Sequence, residues 1–154
     1  MQHLNLPEAQ LQLRRDPDGT VRVYDPLRRM WLVVTPEEWV RQHFVNFLIS
    51  GRGYPASRVA NEVTIRLNNT VKRCDTVIYS PSLRPLAIVE YKAPEVAVTQ
   101  RVFEQIGRYN IVLDVPLLMV SNGLSHYACR IAADGSYRFL RDVPRWEELT
   151  DQKK

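Results

Sequence analysis

The chain has 154 residues, 45% of them hydrophobic and 25% charged, which fits one domain with a single core and excludes the composition of a disordered chain. With 21 Lys and Arg against 17 Asp and Glu, the net charge is +4, a mild preference for polyanionic partners. No stretch approaches the roughly 18 apolar residues of a membrane helix and the start lacks the apolar run of a signal peptide, so a cytoplasmic protein without a membrane segment is expected.

Residues 9 to 34 alternate apolar and polar positions and are broken at Asp18-Gly19 and Asp25-Pro26, turn-forming pairs that predict a small antiparallel β-hairpin extension at the N terminus. Thr35-Pro36-Glu37-Glu38 then predicts a helix start, with Thr35 as cap, Pro36 in the first turn and Glu38 reaching back to close a capping box. Trp39, Val40, Phe44, Phe47 and Leu48 recur at helical spacing until Gly51, Gly53 and Pro55 stop the helix. A short helix is expected over residues 56 to 61.

From Glu62 the period shifts to two, with Val63, Ile65 and Leu67 alternating up to Asn68-Asn69, and a second strand is expected over Lys72 to Tyr79. Leu86 to Lys92 is apolar on both faces until Glu90, the pattern of a central, doubly covered strand. Residues 99 to 113 return to helical spacing and Pro116 ends them, which implies a crossover helix. Strands over Leu117 to Val120, His126 to Ala132 and Tyr137 to Leu140 follow, separated by the turns Asn122-Gly123 and Asp134-Gly135. The order predicts an α/β architecture with helices on the faces of a mixed sheet.

A buried charge needs a partner or a metal, because desolvating an isolated carboxylate costs several kcal/mol. Glu90 and Lys92 lie two apart on one strand and project to the same face, with Val89 and Tyr91 facing away. If the two preceding strands pair as a hairpin, Asp75 approaches Glu90. Two carboxylates of this kind suit Mg²⁺ or Mn²⁺, and an adjacent lysine can orient an attacking water and offset charge on a phosphoryl transition state. The competing reading is a plain Glu–Lys ion pair with a surface aspartate. Cys74 and Cys129 lack zinc-site spacing and read as packed thiols, and His3, His43 and His126 are isolated.

The stretch RCDTVIYSPSLRPLAIVEYKAP, residues 73 to 94, resembles the nuclease core of the PD-(D/E)XK superfamily, and in particular the N-terminal domain of the motor (R) subunit of type I restriction enzymes. DPLRRMWLVVTPEEWVRQHF, GYPASRVANE, FEQIGRYN and VSNG extend the likeness. The resemblance implies a restriction-endonuclease-like fold over a single domain, residues 1 to 154, with the nuclease core at about 36 to 132. It implies Asp75 and Glu90 as metal ligands, Lys92 as catalytic lysine, and Glu62 as an additional acid that supports the metal. Gln105 and Tyr109, four apart on one helix, match a QxxxY motif associated with DNA contact; Arg73 and Arg108 join them as expected nucleic-acid contacts. Expected partners are DNA and either a second copy of the chain or a separate subunit. No GxxxxGK[ST] loop is present, so no ATP site is expected. The alternatives are a DNA-binding or assembly module that keeps the fold without catalysis, and a protein-interaction domain centred on Trp39 and Trp146.

Overall fold

The computed structural model describes residues 1–67 and 69–151, with the side chains of residues 67, 70, 109–112, 150 and 151 outside the description. Nine strands and three helices follow one another along them. The first three strands, β1 (Leu13–Arg15), β2 (Val21–Asp25) and β3 (Met30–Val33), form an antiparallel sheet of their own in the order β1-β2-β3, one strand more than a hairpin. Asp25 makes the tight β2–β3 connection by accepting the backbone N–H of Leu27 at 2.8 Å.

Helix α1 (Pro36–Asn46) starts where Thr35 Oγ1 accepts the Glu38 N–H at 3.1 Å, with Pro36 in the first turn. The expected capping box does not close. The Thr35 N–H already donates to the Val33 carbonyl, and the Glu38 carboxylate turns instead to Arg28, Arg41 and Gln42. A wide helical turn over Phe47–Gly51 extends α1, and one short turn at Ala56–Arg58 leads straight into strand β4 (Val59–Leu67), so the short helix expected over residues 56 to 61 is cut by the strand.

The main sheet adds β5 (Thr70–Tyr79), β6 (Pro85–Tyr91), β7 (Leu117–Ser121), β8 (His126–Ile131) and β9 (Tyr137–Phe139), in the order β4-β5-β6-β7-β8-β9. Only β6 and β7 run parallel, and helix α2 (Gln100–Leu113) is the crossover between them. This mixed sheet is buried on both sides. One face packs Ile78, Val89 and Met119 under Val40 and Phe44 of α1 and Leu48 of the turn that extends it; the other places Val77 and Ile88 with Leu113, and Leu118 and Val120 with Phe103, under α2. That explains the apolar run of β6, which has no solvent face. A last helix, α3 (Trp146–Asp151), lays Leu149 and Trp146 on the α1 side, where Trp146 meets the ring of Tyr54. Cys74 and Cys129 are buried and unbridged in separate clusters. Among the described residues no helix is long and apolar enough to cross a membrane.

Candidate active site

The hairpin of β5 and β6 brings Asp75 to Glu90. Its ladder pairs Ile78 with Ala87, Val77 with Ile88 and Thr76 with Val89, so the next residues in register are Asp75 and Glu90. There the strands part. Glu90 is opposite Val120 of β7, while the Asp75 side chain takes over from backbone: its Oδ2 accepts the Tyr91 N–H at 2.9 Å. A carboxylate thus sits in the gap where the sheet opens.

Lys92, just past the end of β6, and Glu90 line the same cavity of about 830 Å³ as Asp75, as their spacing of two predicts. Lys72 lines it too. That residue is three positions from Asp75, and regular alternation would send the two to opposite faces. The alternation is broken here: Cys74 and Val77, also three apart, pack in one cluster. The cause lies in the neighbouring strand. Glu62 of β4 adopts φ +57, and the β4–β5 ladder has rungs at Asn61–Thr76 and Val63–Cys74 but none between Glu62 and Asp75. A left-handed residue inside a strand twists it locally and shifts which side chains share a face.

Glu90 is 7% exposed. Its Oε1 lies 3.4 Å from Lys72 Nζ, yet that buried oxygen closes no hydrogen bond. The two facts agree, since a charge-assisted bond would be near 2.7–2.9 Å; the ammonium stands near the oxygen without binding it tightly. Burial first, then the charge of Asp75 and a hydrogen bond shared with it, push the Glu90 carboxyl up to about 8, with Lys72 opposing them. Two carboxyl groups this close, one of them buried, cannot both ionise freely without a further cation beside them.

The remaining expected residues divide. Gln105 and Arg108 of α2 line the cavity. The Tyr109 side chain lies outside the described residues. Arg73 is exposed and bonds Glu62 at 2.7 Å. Glu62 does not line the cavity; its second oxygen pairs with Arg41 at 2.7 Å, and these two guanidinium groups hold its carboxyl below the usual range against the effect of burial. Lys72, legible only as one of several basic residues, is the site member that sequence spacing hides. Among the described residues no three His, Cys, Asp or Glu side chains gather at one point. Two carboxylates with waters completing the shell suit Mg²⁺, which retains several waters, better than zinc.

Behind the site, on the α1 face, runs a buried polar chain. The Tyr91 hydroxyl donates to Thr76 Oγ1, which donates to Asn61 Oδ1, and Asn61 Nδ2 donates to Asp25. Asp25 pairs with Arg28, Arg28 with Glu38 and Glu38 with Arg41. Nothing in the residue pattern announces this chain.

Residues 36–144 match the family described as the type I restriction enzyme R protein N terminus. The chain belongs to this family. Among solved structures, it is similar to a fragment of a protein described as an HsdR subunit of a type I restriction enzyme from Vibrio vulnificus YJ016. The likeness has a TM-score of 0.54 at 19% identity and covers 75% of this chain but 24% of that one; it speaks to the fold alone. The match thus spans about a quarter of that fragment. None of the curated proteins matches. The family match begins at the first residue of α1, which leaves the three-stranded N-terminal sheet outside it.

Proposed function

We propose that this R-protein N-terminal domain is a divalent-metal-dependent deoxyribonuclease, with Asp75 and Glu90 as the metal-holding carboxylates and Lys92 as the catalytic lysine. The observation that carries the reading is the buried Glu90 oxygen that closes no hydrogen bond, in a cavity that Asp75, Lys72 and Lys92 also line. When bound, Mg²⁺ or Mn²⁺ supplies Lewis acidity toward a phosphate oxygen and acidifies a water.

The chain supplies the rest. Asp75, fixed through Oδ2 on the Tyr91 N–H, keeps its other oxygen for a ligand. Lys92 Nζ orients the attacking water and offsets charge growing on the phosphate. Lys72 draws the Glu90 carboxyl toward its charged form against burial and Asp75, and Gln105 and Arg108 on α2 grip the backbone of the nucleic acid along the cavity wall. DNA as substrate, and a partner subunit or a second copy that places a second site on the opposite strand, belong to the same proposal.

One observation favours a second reading, a DNA-binding module without catalysis: the Lys72 ammonium already stands 3.4 Å from Glu90 Oε1, on the side a metal would take. Calorimetric titration of Mn²⁺ into wild type and Asp75→Asn, with cleavage of linear, nicked and branched DNA alongside, separates them. Binding lost in Asp75→Asn and cleavage lost in Lys92→Ala support the nuclease. DNA binding with neither leaves the module reading, and cleavage that survives both Glu90→Ala and Lys92→Ala defeats the assignment.

A further inference from the structure

Asp75 is aimed into the cavity by a strand that is irregular at that residue. A bend of this kind has to be held, and one side chain touches it from both ends. Arg41 of α1 donates from Nη1 to the Asp75 carbonyl at 2.8 Å. The same guanidinium stands over the ring of Tyr91, whose N–H holds the Asp75 carboxylate. Its Nη2 pairs with Glu62, the left-handed residue across from Asp75, at 2.7 Å.

Glu38 fixes the guanidinium in turn, accepting from Nε at 3.1 Å and Nη2 at 3.0 Å. Arg41 is 8% exposed, and the carboxylates of Glu38 and Glu62 keep it charged despite burial. Five donors in a flat, rigid fork let arginine serve a carbonyl and two carboxylates at once; a lysine ammonium at the same place has the charge without the geometry.

We propose that Arg41 is a positioning residue for the metal-holding carboxylates: it locks the Asp75 peptide and the bend at Glu62 together, so that Asp75 is presented to the cavity without the cost of ordering it when a cation binds. The inference rests on the metal-site reading above. It gives Glu62 a role through Arg41 rather than on the metal. It also places the N-terminal sheet in the support of the site, because Arg28 and Asp25 brace the Glu38 that braces Arg41.

The test is Arg41→Lys, read in two ways. In metal-free protein, hydrogen exchange at the Tyr91 amide reports whether Asp75 Oδ2 still holds it; the expected result is faster exchange by about tenfold or more, with the neighbouring β6 amides Ile88 and Val89 unchanged. In calorimetry, Mn²⁺ binding weakens by about 10- to 100-fold, the range seen when residues orienting metal ligands are removed. A variant of lower melting temperature but wild-type Tyr91 exchange and wild-type Mn²⁺ affinity overturns the proposal, since a merely structural arginine has that signature. If wild type binds no Mn²⁺, the metal-site reading fails; Tyr91 exchange then still decides whether Arg41 positions Asp75. Should Arg41→Lys not fold, Glu62→Gln removes one clamp from a half-buried position. Its Mn²⁺ affinity falls in the same direction, and equality with wild type overturns the idea.

Discussion

Replacing Glu90 by glutamine separates what the carboxylate costs the fold from what it gives the site. In the folded chain this carboxyl releases its proton at about 8, because it is buried, faces Asp75 and shares a hydrogen bond with it; in the unfolded chain it titrates near 4.5. The folded state therefore binds the extra proton between those values. Stability is full below the unfolded value and falls as pH rises toward the folded one. Between pH 6 and 9 the loss spans about two pH units at roughly 1.36 kcal/mol each, or about 3 kcal/mol.

Glutamine mimics the protonated form and has no such loss. Without divalent metal, the advantage of Glu90→Gln over wild type is expected to grow by about 3 kcal/mol between pH 6 and pH 9, a widening of about 6–12 °C in melting temperature for a chain of this size. Adding Mg²⁺ at high pH raises wild type toward the variant and leaves the variant unmoved. Thermal unfolding at both pH values, with and without metal, gives the four numbers. A gap that does not change with pH means that Glu90 is not the strained group described here; a variant that Mg²⁺ stabilises as strongly as wild type removes Glu90 from the metal.

Lys92→Ala should lower single-turnover DNA cleavage by about 10²-fold or more while Mn²⁺ binding in calorimetry stays equal or tightens, because a positive charge has left the site. Arg108→Ala should weaken DNA binding and reduce the slope of log affinity against log salt by about 1, the loss of one phosphate contact; an unchanged slope removes Arg108 from the nucleic-acid surface. Arg28→Ala leaves the buried carboxylates of Asp25 and Glu38 short of a partner, and urea unfolding should show a loss of about 3–5 kcal/mol.

What could be read in the residues was whatever depends on short, regular spacing. Glu90 and Lys92 share a cavity because strands alternate, and the apolar run before Glu90 marked a strand covered on both faces. Asp75 met Glu90 because a short link joins two strands that pair in register. The hidden parts depend on departures from regularity or on long-range partners. Lys72 reaches Glu90 because the alternation slips near Asp75, and spacing alone puts it on the wrong face. Glu38 looked like the second half of a capping box, but a partly buried Arg28 ten residues upstream competes for its carboxylate with two bonds of 2.9 and 3.0 Å, stronger than a bond to an N–H that Val33 already satisfies. The helix at Trp146 is a short element held by tertiary packing, so local pattern said little about it.

The slip itself can be tested at Glu62, where two effects of one residue oppose each other. The side chain stabilises by pairing with Arg41 and Arg73, while the backbone, at φ +57, occupies a region that costs a residue with a Cβ about 1 kcal/mol or more. Alanine and glycine both delete the carboxylate, and Arg41 keeps Glu38 in either case, so the difference between the two variants isolates the backbone. At an ordinary strand position alanine is the more stable of the pair by about 0.4–1 kcal/mol. Here the order should reverse, with Glu62→Gly above Glu62→Ala by about 1 kcal/mol in urea unfolding. Both should bind Mn²⁺ more weakly than wild type, since both loosen Arg41. Alanine equal to or better than glycine would mean that the strand carries no left-handed bend at this residue. The placement of Lys72 and Asp75 on one cavity wall would then have lost its physical cause.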